Sequence, residues 1–338
     1  MLQIDAATTR RHLPFDALIE ALRVLFIAGC EVPLRTTHRI GAVAGAGSDG
    51  GTVLLMPAWR TGARLGIKTV TIFPGNGARG LPGLHSVYLL FDAETGVPLA
   101  QLDGNEITSR RTAAASALAA SYLARADARR LLILGTGRVA ALLAEAMRVV
   151  RPIDDVVIWN HRPPSAQALA DELRAAGVNA SATDDLEQAV EHADIVSCAT
   201  LSTTALVCGA WLRPGTHLDL IGSFTPQMRE ADAACFARSR VFVDTPEALA
   251  KSGDVLGAIA AGAFSADRLQ GTLAELCAGS RPGRANSTGH VSEHAAELTL
   301  FKAVGTALED LAAAELVWGA VQRESLCSAA STTDDPAP

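Results

Sequence analysis

Residues 131–145, LLILGTGRVAALLAE, constrain this chain more than any other stretch. Leu131 to Leu134 form a short apolar run of the kind that makes a strand buried on both faces. Gly135, Gly137 and Ala140 follow at G-x-G-x-x-A spacing, and Val139 to Met147 continue as an apolar, alanine-rich helix. Each small residue has its own physical reason. Gly135 allows the tight turn, Gly137 has no Cβ to block a pyrophosphate, and Ala140 lets the helix pack on the strand. The helix N-terminus offers unpaired N–H groups and the positive end of its dipole to phosphates. Glycines also mark ordinary turns, but a strand before, a helix after and a second strand at the right distance separate this pattern from a turn. A dinucleotide site is therefore expected at Gly135, Thr136, Gly137, Arg138 and Val139.

The second strand bears on which dinucleotide. Val156 to Trp159 is a hydrophobic run ending in Asn160-His161-Arg162, roughly twenty residues past the last glycine, where NAD-type domains place an acid on the ribose 2′-hydroxyl. No acid stands there. A carboxylate would repel a 2′-phosphate, whereas the Arg162 guanidinium can bind one bidentately. Asn160 and Arg162 thus join the expected cofactor set, with NADPH favoured and NADH the alternative.

With 338 residues the chain has room for two domains. Its net charge of −7 gives no nucleic-acid footprint. Six scattered cysteines without a C-x-x-C pair predict reduced thiols in a cytoplasmic protein. No basic segment followed by an apolar run opens the chain, and no run is long enough to span a bilayer, so no membrane partner is expected.

Residues 14–28 have helical spacing, with Phe15, Leu18, Leu22, Leu25 and Phe26 on one face. From 33 to 103 the pattern changes to antiparallel strands joined by Gly/Pro/Asn turns, and Gly41–Gly51 is expected as a hairpin loop. Thr108 to Arg125 is an alanine-rich helix. From 131 onward, strands at 131–134, 156–159, 194–198, 217–221 and 241–244 alternate with helices at 138–149, 165–176, 185–192 and 228–236, which predicts a doubly wound parallel sheet. After 290 a long helix is expected through Leu298, Phe301, Val304, Leu308 and Leu311. The fold class is α/β: a Rossmann domain (116–289) inserted in an α+β substrate and dimerisation domain (1–115 with 290–325), followed by a disordered polar tail (326–338). Ligands in such folds sit at the carboxyl ends of the strands, so the site is expected in the cleft between the domains.

Among candidate chemical groups, Lys68 interrupts the apolar strand LGIKTVTIF, where an unpaired buried ammonium would be costly. It faces either solvent or a polar pocket awaiting an anion. Arg110 and Arg111 open the alanine-rich helix about 100° apart, so at most one faces the cleft while the other is solvated. Arg35 precedes a strand in PLRTTHRI. These cations would make a carboxylate-binding cup if they converged. His85 follows a Pro-Gly turn; a lone histidine there is more often structural than catalytic. His290, Ser292 and His294 with Glu293 and Glu297 do not match H-E-x-x-H, so no metal is expected. Asp219 lies inside the strand HLDLIG.

Several of these segments, taken together, resemble the ornithine cyclodeaminase/μ-crystallin family: MPAW (56–59), GIK (66–68), FDAETGVPLAQLDG (91–104), ITSRRTAAASALAA (107–120), LGTGRVA (134–140), IGSFTPQMREAD (221–232) and ELTLFKAVGTALEDLAAA (297–314). The resemblance implies an inserted Rossmann domain, a homodimer and NAD(P)(H), with Thr200, Gly222 and Ser223 among the cofactor contacts. It also implies that Arg35, Lys68 and Arg111 hold a substrate carboxylate beside the nicotinamide. Cyclodeaminases of the family carry an aspartate where this chain has Phe224, and a glutamate where it has Val53 or Leu54. A phenyl ring cannot serve as a base. The stretch G-S-F-T-P-x-M-R-E is similar instead to the Δ1-pyrroline-2-carboxylate/Δ1-piperideine-2-carboxylate reductases. The implied reaction is NAD(P)H-dependent reduction of a small cyclic imino-carboxylate to L-proline or L-pipecolate. Lys68, Arg111 and His85, the last through a water held near it, are its candidate catalytic groups. The alternatives on this scaffold are a cyclodeaminase, an amino-acid dehydrogenase, an open-chain imine reductase and a non-enzymatic NADPH-linked binding protein.

Overall fold

The computed structural model describes residues 1–41, 50–284 and 296–331, the side chains of 328–331 excepted. Within them the chain divides after Arg111 and after Thr306: Met1–Arg111 and the chain from Ala307 form one unit, Thr112–Thr306 the other. The expected divisions at 115/116 and 289/290 are thus displaced at both ends. The second misses because Leu298–Lys302 is a strand, not part of a helix, and belongs to the Rossmann-type unit. A buried parallel strand is apolar throughout, so LTLFK reads equally well at helical spacing.

The first unit contains β1 (Leu2–Ile4), β2 (Thr36–Ile40), β3 (Gly51–Trp59), β4 (Arg64–Ile72), β5 (Leu84–Asp92) and β6 (Pro98–Asp103), with helices α1 (Ala6–Arg11), α2 (Phe15–Ala28), the start of α3 (Gly104–Leu123) and α11 (Ala307–Ser331). Its sheet runs β1-β6-β5-β4-β3-β2, antiparallel throughout except for β1 beside β6. Alternation assigns the faces. Met56, Ala58, Gly66, Lys68, Val70, Ser86, Tyr88 and Leu90 are buried on the face against which α11 packs. The α2 stripe Phe15, Leu18, Ile19, Leu22, Leu25 and Phe26 is buried at 3.6-residue spacing, and Gly29, at φ 71°, ends that helix. Helix α11 runs to Ser331, so the segment expected as a tail from 326 begins helical; residues 332–338 lie outside the described residues, as do 42–49 of the expected hairpin loop.

The second unit is an eight-stranded, wholly parallel sheet: β7 (Arg130–Leu134), β8 (Asp155–Trp159), β9 (Ala180–Thr183), β10 (Ile195–Cys198), β11 (His217–Leu220), β12 (Ser239–Val243), β13 (Gly271–Thr272) and β14 (Leu298–Lys302), ordered β13-β12-β14-β11-β10-β7-β8-β9. The connecting helices are α4 (Arg138–Val150), α5 (Pro163–Ala175), α6 (Leu186–His192), α7 (Ala233–Arg238), α8 (Ala248–Lys251), α9 (Gly253–Ala260) and α10 (Leu273–Cys277). Strand order reverses between β7 and β10, which opens a crevice at their carboxyl ends. No helix among the described residues is long and apolar enough to cross a membrane.

Candidate cofactor and substrate sites

At that reversal the loops after β7, β8 and β10 enclose a cavity of about 630 Å³. Gly135, Thr136, Gly137, Asn160, Arg162 and Thr200 line it, together with His161 and the loop Ala199–Thr204. Gly135 has φ 111°, and a Cβ there would lie 2.5 Å from the Ala199 carbonyl oxygen, so this turn requires glycine. Gly137 caps α4 without any side-chain hydrogen bond, and a Cβ placed on it would meet nothing within 4 Å. The first amides of a 13-residue helix therefore face open space, the arrangement a pyrophosphate needs. The Asn160 side-chain amide donates to Thr136 Oγ1 at 3.0 Å and its Oδ1 accepts from the Arg162 amide at 2.9 Å, tying the second loop to the first. The Arg162 side chain is exposed on the wall, and no carboxylate lines the cavity among the described residues. The donor set fits a dinucleotide.

Arg138 and Val139, at the start of α4, are not part of the cavity lining, nor are Gly222 and Ser223. Ser223 is wholly buried: its hydroxyl donates to the Met228 carbonyl at 2.8 Å and accepts from the Asp254 amide at 3.1 Å. Gly222 is a close-packing residue, since a Cβ would lie 1.8 Å from the Thr200 carbonyl oxygen. Both brace the site from behind rather than face it. Glu230, which sequence reasoning overlooked, accepts from the Thr200 amide (2.7 Å), the Thr200 hydroxyl (2.8 Å) and the Gly222 amide (2.7 Å). Burial pushes its carboxyl up to about 7, against the pull of Lys302. Asp219 is also fully buried and accepts from the Ser116 hydroxyl at 3.1 Å and from the Ser197 hydroxyl; burial raises it to about 6.

In the first unit, Lys68 does face a polar pocket, but one already supplied with anions. Its Nζ stands 2.7 Å from Asp310 Oδ2, with Lys68 only 1% exposed. Arg111 Nε donates to Asp310 Oδ1 at 2.9 Å, and its terminal nitrogen pairs with Glu309. Two cations from β4 and α3 meet two adjacent acids from the first turn of α11, so the four charges sum to zero. Burial depresses the Lys68 ammonium to about 8, partly offset by Asp310 and reinforced by Arg111. Asp310, although buried, is held below the usual carboxylate range by Lys68 and Arg111. Tyr88, cross-strand from Lys68, carries a buried hydroxyl for which no hydrogen-bond partner is found among the described residues. Burial and the Asp310 charge keep that phenol protonated.

Of the other expected groups, one shares the Lys68 row and two do not. Arg35 is half-buried just before β2, whose first residue pairs with Leu55, so it continues the row Met56–Lys68–Tyr88. His85 is exposed and pairs with Thr71, on the sheet face opposite Lys68. The structure separates it from the expected catalytic group. Arg110 is buried rather than solvated: its Nε donates to the Leu13 carbonyl at 2.7 Å and its guanidinium lies over the Phe15 ring. His290, Ser292, Glu293 and His294 lie outside the described residues. Among the described ones no group of three or more His, Cys, Asp or Glu could hold a metal. Glu309 and Asp310 did leave a trace in the sequence, as adjacent acids in the otherwise apolar VGTALEDLAAA.

A parallel sheet with a glycine-lined cavity at its reversal point defines a Rossmann-type nucleotide-binding unit, here carried by a chain whose first unit buries a lysine on its mixed sheet and an arginine on α3. The model of the ornithine cyclodeaminase/mu-crystallin family matches residues 19–325. The chain belongs to that family. A Δ1-pyrroline-2-carboxylate reductase of Paracoccus denitrificans is 44% identical over 273 residues, which span 80% of this chain and 84% of that protein. The structure of Thermococcus litoralis Δ1-pyrroline-2-carboxylate reductase in complex with NADH and L-proline matches with a TM-score of 0.86 at 31% identity, covering 96% of this chain and 98% of that one. An archaeal alanine dehydrogenase dimer with bound NAD has a TM-score of 0.85 at 27% identity, over 96% and 97% of the two chains.

Proposed function

We propose that this chain is a nicotinamide-dependent reductase of cyclic ketimine carboxylates. It converts Δ1-pyrroline-2-carboxylate or Δ1-piperideine-2-carboxylate to L-proline or L-pipecolate, with NADPH as the preferred reductant. The observation that carries this reading is Phe224. Its exposed phenyl ring stands where the resemblance places the aspartate of cyclodeaminases, and the Paracoccus relative is a Δ1-pyrroline-2-carboxylate reductase.

When bound, the reduced cofactor supplies a hydride to the ring's C=N carbon, and the nitrogen must carry or receive a proton. The residues of the chain have two tasks. Arg111, Lys68 and Arg35 hold the carboxylate, which orients the ring. Lys68, with its depressed ammonium, is the proton donor. Once Lys68 has passed its proton to the imine nitrogen, the ligand carries one carboxylate and one iminium, and the cations and anions of the cluster answer both. Arg162 binds the 2′-phosphate. The functional molecule is a homodimer, a reading supported by exposed Ile40, Leu84 and Val87 on the first unit's sheet.

The test is to mix purified protein with Δ1-pyrroline-2-carboxylate and either NADPH or NADH and follow the nicotinamide absorbance. Rapid oxidation of NADPH, and slower oxidation of NADH, is expected. No oxidation of either overturns the reductase reading, and ammonia release from L-ornithine would replace it with cyclodeamination.

A further inference from the structure

One wall of the nucleotide cavity is the loop Ala199–Leu206, which leaves the end of β10. Within the loop the Ser202 hydroxyl donates to the Thr204 carbonyl at 2.7 Å and accepts from the Thr204 amide at 3.2 Å. Beyond itself the loop is tied to Leu134, whose carbonyl accepts from the Ala199 amide at 2.9 Å, and to Arg229 and Glu230. The Arg229 amide donates to the Ser202 carbonyl at 2.7 Å, and the Leu206 and Val207 amides donate to the Glu230 carbonyl at 2.9 and 3.0 Å. The Glu230 carboxylate takes the remaining end, with one oxygen accepting both donors of Thr200 and the other accepting the Gly222 amide. Glu230 is itself fixed from behind. Its amide and that of Ala231 donate to Asp254 Oδ1 at 2.7 and 3.0 Å, and Lys302 Nζ lies 3.5 Å from the other Asp254 oxygen. Glu230, Lys302 and Asp254 are all buried, and Glu230 is not part of the cavity lining.

We infer that Glu230 is a positioning residue for the dinucleotide: its carboxylate sets Thr200, and through Thr200 the Ala199–Leu206 wall, so cofactor affinity depends on a group outside the cavity. The physical case is one of donor counting. Three donors converge on two carboxylate oxygens. A glutamine at this position has one acceptor oxygen and one NH2 group, so a donor must confront a donor at either Thr200 or Gly222. The nearby backbone cannot yield, because Gly222 already abuts the Thr200 carbonyl. This inference rests on the dinucleotide part of the proposed function and not on the ring substrate.

The experiment is a direct titration of NADH, read by nicotinamide fluorescence, with Glu230→Gln, Thr200→Val, Thr200→Ser and the double variant E230Q/T200V, each checked by circular dichroism and thermal melting. Glu230→Gln is expected to weaken NADH about tenfold and Thr200→Val about fivefold, the scale of one or two hydrogen bonds. Thr200→Ser, which keeps the hydroxyl donor, regains most of the affinity that Thr200→Val loses. The double variant loses no more than Glu230→Gln alone, because both substitutions break one connection. Parent-like NADH affinity in Glu230→Gln overturns the inference. So does parent-like affinity in Thr200→Val, the variant that decides if Glu230→Gln does not fold. Fully additive losses in the double variant overturn it too. A parent protein that binds neither NADH nor NADPH overturns the dinucleotide reading itself.

Discussion

Lys68 Nζ and Asp310 Oδ2 face each other at 2.7 Å, one from the middle of β4 and the other from the first turn of α11, both sealed from solvent. The ammonium is thereby kept inside the fold while its proton is loosened. Burial lowers its pKa from the usual lysine value to about 8, so the proton-donating form dominates below pH 8 and is lost as pH rises through it. The kcat/KM of ketimine reduction should therefore fall about tenfold per pH unit above 8. Lys68→Met should cost on the order of a hundredfold or more in kcat. A pH profile flat to pH 10 removes Lys68 as the donor.

Asp310 answers Lys68 and Arg111 at once, so its removal leaves buried positive charge without a counterion. Asp310→Asn should destabilise the first unit by about 3–5 kcal/mol. Urea denaturation measures this; a loss under about 1 kcal/mol would mean that water or Glu309 compensates fully.

His85 lies on the solvent-exposed face of β5, opposite Lys68. His85→Gln should leave kcat/KM within about twofold of the parent, as for other exposed substitutions. A loss of two orders of magnitude would restore it to the chemistry.

Two glycines of one motif should fail in different ways. Gly135→Ala meets both a positive φ and the Ala199 carbonyl, so it should lower the melting temperature, by upwards of about 1 kcal/mol in stability. Gly137→Val enters open space and should leave melting unchanged while abolishing NADH binding in a fluorescence titration.

Arg162→Ala should weaken NADPH by about 10- to 100-fold, the scale of a charge-assisted pair, and leave NADH nearly unaffected. Equal losses for both cofactors would assign Arg162 to the shared part of the dinucleotide.

The nucleotide half of the site was legible because its signal is local: Gly135, Gly137 and Ala140 lie within six residues, and Asn160 and Arg162 follow the very next strand. The strand that carries Lys68 was legible for the same reason, though not which side of it the lysine takes. What escaped was every partner supplied from far along the chain. Lys68 and Asp310 are 242 positions apart in sequence, and no periodicity links them, so the expected cationic cup proved to be a neutral cluster. The resemblance implies cofactor contacts at Gly222 and Ser223, but here their spacing serves packing against Glu230 and Asp254. Leu298–Lys302 failed for a third reason: an apolar pentapeptide carries no mark of which regular structure it will join.

That last strand has a bearing on how the chain is made. Because β14 sits between β11 and β12, those two strands have no direct pairing, and the strand that joins them follows both in chain order. A nascent or truncated chain ending before Leu298 carries two hydrophobic strand edges with nothing to close them, at the centre of the sheet rather than its rim. Such edges invite association with other chains. The second unit therefore completes its native sheet only once its last strand in chain order has joined the middle of it.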